Sequence, residues 1–452
     1  MRTIIVAALC ASTALTSTPA FAQDTEIQAL RAQVQTLEAQ LAALNARLDS
    51  MESDAAETAA VVADVTEAIE QAAPAQPAGS TVEIGFGAAP EFETEGGWSF
   101  KPFGRIQADA GFTSLPDGLA ANDGFGSEIR RARLGMSGDI PGGFGYKFEV
   151  DFAGNSVDLT DVIITYEDDG LKLTAGQHNN FQGLEELTSS RFSTFIERAA
   201  FTDAFGFERR LGFSAQYDTD DLLVQAGVFT DNIDDLPGKA WSLDGRVVYA
   251  PEIGDTQLHF GGSVHLTELE SGDTVRYRQR PLVHFTSERL INTGNLTAES
   301  EFGAGLEAAV IAGPFHAAGE VFWQNADRPG ALMDPTFFGG YAEVGFYLTG
   351  GDSRGYKGFK FDRTRPASPV DEGGIGAIQV NLRFDHLDLN DGGIVGGMQD
   401  GYFASLVWVP TDYTRLMLNY GHLEYDDAVL ALPAGSTSYS ADVMGLRAQI
   451  DF

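Results

Sequence analysis

The chain has 452 residues, 43% apolar and 21% charged, with 52 Gly, 31 Phe and 13 Tyr. Its formal charge of −36, from 65 Asp and Glu against 29 Lys and Arg, argues against nucleic acid as a partner, because phosphates need cations. The glycine and aromatic content suits a strand-rich chain better than a helical one, although the length alone would allow two or three soluble domains.

Residues 1–22 read as an export signal. Arg2 gives a short positive region, IIVAALCASTAL gives an apolar core, and Ala20-Phe21-Ala22 gives an A-x-A cleavage site before Gln23. The one cysteine, Cys10, lies inside that core, so a mature chain is expected to carry no disulfide, thiolate nucleophile or lipid-anchored cysteine. Beyond it no apolar run approaches the ~18 to 20 residues of a spanning helix. A helical membrane protein is excluded, and a barrel is not.

Residues 23–70 carry a different pattern. Ile27, Leu30, Val34, Leu37, Leu41, Leu44, Leu48 and Met51 alternate spacings of three and four, which predicts a coiled-coil seam and hence self-association. The competing reading is a single amphipathic helix lying on its own barrel. Residues 71–96, rich in Ala, Pro and Gly, read as a linker.

From residue 97 to 452 short alternating segments are parted by turn residues, which predicts an all-β fold: a transmembrane antiparallel β-barrel of about 16 strands. In FGYKFEVDF, Phe144, Tyr146, Phe148, Val150 and Phe152 share one face, and Gly145, Lys147, Glu149 and Asp151 share the other. The chain ends on VMGLRAQIDF, which alternates to its last residue, Phe452. A strand ending that way is expected to pair with the first strand, since an open sheet edge is not tolerated in lipid. Its terminal aromatic also resembles the signal by which the barrel-assembly machinery recognises outer-membrane proteins. Tight turns at 139–142 and 168–170 alternate with long connections such as 113–127 and 351–373, as short periplasmic turns and long outer loops would.

EIRRARLGMSG, YKFEVDFAGNSVDLTDVIITY, GLEELTSSRFSTFIER, FGGYAEVGFYLTGGDSRGY and NLRFDHLDLND, in order from about residue 100 to the end, resemble the phosphate-selective porin O/P family. The resemblance implies an outer-membrane location, a homotrimer of 16-stranded barrels and an arginine ladder leading to a central anion site. It also implies that the long stretch from His178 to Glu208 folds into the lumen. Ser189, Ser190, Arg191 and Arg198 are then the constriction residues, modified by Glu185 and Glu186, which stand where the family's motif has a lysine.

The scarce cations fall into two groups. Arg276, Arg278 and Arg280, at i, i+2 and i+4, share a strand face that cannot meet lipid; they line the lumen or stand above the membrane as solvated charges. Arg105 with Arg130, Arg131 and Arg133 forms the second group, and of these Arg131 and Arg133 share one face. Such guanidiniums suit a passing oxyanion, or else pair with inward Asp109, Glu149 and Asp151 to stiffen the wall. No HExxH, CxxC or GxSxG occurs, and His259, Ser263 and His265, on one face, read as polar wall. No enzyme activity, cofactor or metal is expected. The expected partners are membrane lipid and small anionic solutes, with phosphate or polyphosphate among them. A weakly selective general porin, and a plugged structural or adhesive barrel, are the alternatives.

Overall fold

A computed structural model describes residues 82–86, 89–154 and 156–452. The signal peptide, the coiled-coil segment and the start of the linker lie outside the described residues. Within the stretch read as linker, Val82–Phe86 and Pro90–Thr94 form a hairpin that pairs onto Ser99 and Phe100.

Among the described residues sixteen strands close into an antiparallel barrel. They are β1 (Ser99–Ser114), β2 (Gly124–Ile140), β3 (Phe144–Asp151), β4 (Asp158–Asp168), β5 (Leu171–Asn179), β6 (Arg209–Asp218), β7 (Leu222–Phe229) and β8 (Trp241–Tyr249). Then come β9 (Thr256–Glu268), β10 (Ser300–Ala312), β11 (Phe315–Asp327), β12 (Thr336–Tyr347), β13 (Ala377–Asp391), β14 (Ile394–Thr411), β15 (Thr414–Asp426) and β16 (Tyr439–Asp451). Closure is by β16 on β1, with Asp442 opposite Ser114 and Asp451 opposite Arg105. Phe452 extends the seam through two backbone hydrogen bonds with Gly104, at 2.9 and 3.0 Å. Arg447 locks it from inside, donating two hydrogen bonds to Asp109 across the seam at 2.6 and 2.7 Å.

The strands are inside out by the standards of a soluble protein. In β16 Met444, Leu446 and Ile450 are exposed while Arg447, Gln449 and Asp451 are buried, and in β13 Val380, Leu382 and Phe384 face out while Asn381, Arg383 and Asp385 face in. The apolar outer surface has aromatic rims. Phe144, Tyr249, Phe346 and Trp408 mark the end where the strands are joined by tight turns, and Phe112, Phe125, Trp241 and Phe302 mark the other. An apolar band between two aromatic girdles is the signature of a barrel in a bilayer.

One connection departs from the sequence reading. The segment 348–376, expected among the long outer loops, follows β12 and so leaves the barrel at the end of the tight turns, where both barrel termini also lie. Length had assigned it to the outer end, whereas strand parity assigns it to the periplasmic one. Instead of spreading into solvent it turns back into the lumen, where Phe359 and Phe361 are buried.

The hydrophobic core also lies inside the barrel. Phe195, Ile196 and Phe201 of connection 180–208 meet Leu282, Val283 and Ile291 of connection 269–299, against Phe322, Phe337, Leu387, Phe403 and Leu423 of the β11–β15 wall. Phe201 stacks on Phe322 at 6.1 Å, and Tyr277 meets Phe337 edge-on at 5.2 Å. The lumen is thus filled on one side and open on the other.

Candidate functional site

Connection 180–208, with its short helical turns α1 (Leu184–Leu187) and α2 (Ala200–Ala204), crosses the lumen and is fixed at several points. At its start the Leu184 and Glu185 amides donate to the Glu320 carboxylate at 2.9 and 2.6 Å. Gly183 allows this approach with φ at +134°, and a Cβ there would lie 2.4 Å from a Glu320 oxygen. Further along, the Thr194 hydroxyl donates to Glu343, the Ile196 amide to Asn419 and the Ala200 amide to Asp385. These anchors all lie on the β11–β15 side. The opposite edge of the connection, with Ser189, Ser190, Arg191 and Arg198, faces the open half of the lumen.

Two cavities flank the connection, and Arg131, Glu186 and Arg198 belong to the walls of both. Those three side chains therefore stand between the cavities. Arg131 faces the lumen together with its neighbour Arg130 because β2 carries a bulge: Gln107 pairs with Arg131, and Ala108 with Ile129, leaving Arg130 as the extra residue. Arg198 is held by the carbonyls of Glu185, Glu186 and Thr188 at 2.9 to 3.0 Å and lies 3.3 Å from the Glu186 carboxylate. Burial raises the Glu186 carboxyl above its ordinary range, and the guanidiniums of Arg198, Arg209 and Arg131 only partly offset this.

The outer cavity, about 210 Å³, is lined by Arg130, Glu197, Asp203, Arg280 and His284. The inner one, about 760 Å³, is a chamber reaching the tight-turn end. Its strands contribute Lys101 and Arg105, Arg131 and Arg133, Lys147, Lys172 and Arg209. Connection 180–208 adds Arg191 and Arg198, and the inward segment 348–376 adds Lys360, Arg363 and Arg365. Against these twelve cations stand five carboxylates: Glu149, Asp161, Glu186, Asp362 and Asp412.

The wall-stiffening use of arginine foreseen in the sequence is present. Arg105 and Arg133 share Glu149 at 3.1 and 2.9 Å, and Arg133 also reaches Asp151 at 2.7 Å. Arg105 donates to the Ser190 hydroxyl at 2.8 Å, joining the wall to the crossing connection. Arg131 donates to Gln107 and, like Lys360 and Arg365, makes no ion pair among the described residues.

Of the two alternatives for the arginine triplet the solvated one fits Arg276 and Arg278, and the expectation for Glu185 changes. Arg276, Arg278 and Arg280 belong not to a barrel strand but to the outer connection 269–299, where Arg278 and Gln279 pair with Ile291 and Asn292. Arg276 and Arg278 are exposed at the mouth and Arg280 alone of the three lines a cavity, because the chain leaves the barrel wall after Glu268. Glu185 faces away from Glu186, its successor on the same helical turn, and is buried in the wall on Arg383 at 2.8 Å, outside both cavities.

The sequence reading overlooked Lys101, Lys172 and Arg209, visible as inward positions by strand parity, and placed Lys147 on the inward face without naming it as pore-lining. It also missed Lys360, Arg363 and Arg365, whose segment had been placed at the other end. Of the histidines, His259 lies 2.6 Å from the Tyr356 hydroxyl and 3.1 Å from Glu307, and His265 lies 2.5 Å from Asp244. No His, Cys, Asp and Glu cluster among the described residues could hold a metal ion.

The family model of the phosphate-selective porins O and P matches residues 100–452. A protein of Caulobacter vibrioides described as uncharacterised is 45% identical over 477 residues, covering 100% of this chain and 96% of its own. Two solved structures share the fold. The anion-selective porin from Comamonas acidovorans is 14% identical with a TM-score of 0.52, covering 78% of this chain and 100% of its own. The outer membrane channel DcaP of Acinetobacter baumannii is 13% identical with a TM-score of 0.51, covering 80% and 99%.

Proposed function

The chain belongs to the phosphate-selective porin O and P family, and on that premise we propose that it is a diffusion channel for small anions, phosphate among them. A porin of the outer membrane needs a water-filled path bounded by a rigid constriction, and the charge of that constriction sets the preferred ion. One observation carries the anion reading. A chain with only 29 Lys and Arg puts twelve of them around one chamber, on the path that also passes Arg280 and Arg130.

An oxyanion entering past Arg280 and Arg130 meets Arg131 and Arg198 at the narrow point, and Arg105 and Arg209 beyond it. Guanidiniums keep their charge at any physiological pH and offer paired donors, so each is a site that binds without trapping. Glu186, in the same narrow ring, holds the preference below that of a purely basic constriction.

Reversal potentials in planar bilayers under a salt gradient test the reading. A potential of the sign for chloride over potassium is expected; a cation-selective potential would sink it. The acidic groups beside the arginines favour a weakly selective general porin as the second reading, and near-zero reversal potential would support it. We also propose a homotrimer joined by the heptads of residues 27–51, which rests on their spacing and on the family resemblance.

A further inference from the structure

The inner chamber is larger and less uniformly polar than passage of an inorganic ion requires. At about 760 Å³ it falls within the size of sites that enclose whole organic molecules, roughly 300 to 1,000 Å³. Aromatic residues also line it, three of them from different elements. Phe103 comes from β1 with the Lys147 ammonium 5.4 Å from its centroid, Tyr413 comes from the turn between β14 and β15, and Phe192 comes from the crossing connection.

Phe192 forms a fixed platform. The guanidinium of Arg191 lies 5.0 Å from its ring centroid, and that of Arg363, from the inward segment, lies 5.3 Å away. Arg363 is tied to the Asp451 carboxylate and the Asp412 carbonyl, so two of its three nitrogens are already engaged. It lines the chamber, and a guanidinium is flat and delocalised. Planar cations of this kind stack on aromatic rings, and the layer is organised before anything binds. Within the same chamber Arg131, Lys360 and Arg365 have no ion-pair partner among the described residues.

We propose that the chamber binds small aromatic carboxylates, with the ring stacked on the Arg191, Phe192 and Arg363 platform and the carboxylate on the unpaired cations. The proposal rests on the anion-channel reading and narrows its substrate class. A stacking surface contributes nothing to a hydrated chloride or phosphate ion, but it discriminates between organic anions of equal charge.

Block of single-channel chloride current by benzoate, cyclohexanecarboxylate and acetate tests it on the full-length protein. Benzoate is expected to half-block at a concentration about tenfold lower than acetate, a ratio within reach of a desolvated cation–π contact. Cyclohexanecarboxylate, of similar size but without a π face, should fall nearer to acetate. Phe192→Leu should cut the benzoate-to-acetate ratio to less than about threefold, and Lys360→Gln should weaken block by all three. Equal block by benzoate and acetate in a channel that remains anion-selective would overturn the proposal alone. Equal block by benzoate and cyclohexanecarboxylate would overturn its aromatic part, and this comparison stands even if the variants fail to insert. A cation-selective channel would overturn the reading beneath it.

Discussion

Glu186 is the one carboxylate that lines both cavities, so on the proposed path its protonation changes the charge of the constriction directly. Because burial raises its pKa, the group is anionic above the raised value and becomes neutral as pH falls through it, earlier than an exposed glutamate would. Anion preference should therefore rise as pH is lowered from 8 to 5, read as a shift of reversal potential. Glu186→Gln should remove most of that shift and hold the preference at its low-pH level; an unchanged pH profile would place Glu186 outside the conducting path. Gly183 acts through geometry instead. A side chain at φ +134° and 2.4 Å from Glu320 costs on the order of 1 to 3 kcal/mol, and release of the loop's first anchor relieves it. Gly183→Ala should raise single-channel conductance and blunt selectivity while leaving the barrel intact on semi-native gels. Conductance equal to that of the unmodified channel would show that the remaining anchors suffice.

At the scale of elements, the closing strand was legible to its last residue. Alternation from Met444 to Phe452 identified the lipid face, the lumen face and the need for a first-strand partner, because period two is a direct consequence of strand geometry. The Phe452 ring lies over Gly104, where a Cβ would come within 2.7 Å of it, and burying such a ring is worth roughly 1.5 to 3 kcal/mol. Phe452→Asp should accordingly reduce the amount of heat-modifiable barrel in the outer membrane without altering the conductance of the channels that do assemble. Normal barrel levels would contradict that role. Other elements were not legible, for definite reasons. Arg130 turns inward beside Arg131 only because of a bulge, a property of register between two strands that neither strand's pattern reveals. Segment 348–376 has the length of an outer loop, and only a correct count of the strands before it fixes its end of the barrel. Glu185 and Glu186 are neighbours in sequence, yet one α-helical turn sends one into the wall and the other into the passage.

For the whole molecule, the coiled coil and the charge distribution make separate predictions. Deleting residues 24–80 should leave a barrel that inserts but forms weakened oligomers on semi-native gels, and stable trimers after the deletion would assign assembly to the barrel itself. Charge poses the harder question, since a chain of net charge −36 is proposed to prefer anions. Distance and screening resolve it. Arg276 and Arg278 stand exposed at the mouth; burial first, then Arg280, Arg278 and Arg276, lower the pKa of the neighbouring Arg289 to about 10. Mobile ions screen such exposed charges over ~30 Å at 0.01 M salt but over only ~3 Å at 1 M, whereas Arg131, buried in the narrow ring, acts on an ion in contact with it. Replacing Arg276, Arg278 and Arg280 with Gln should therefore lower anion conductance at low salt and change the reversal potential little at 1 M, with Arg131→Gln shifting it toward cations at both. A triple variant whose effect is independent of salt would move the mouth arginines into the constriction. One with no effect even at 0.01 M would take them off the ion path and leave selection to the passage bounded by Arg131, Glu186 and Arg198.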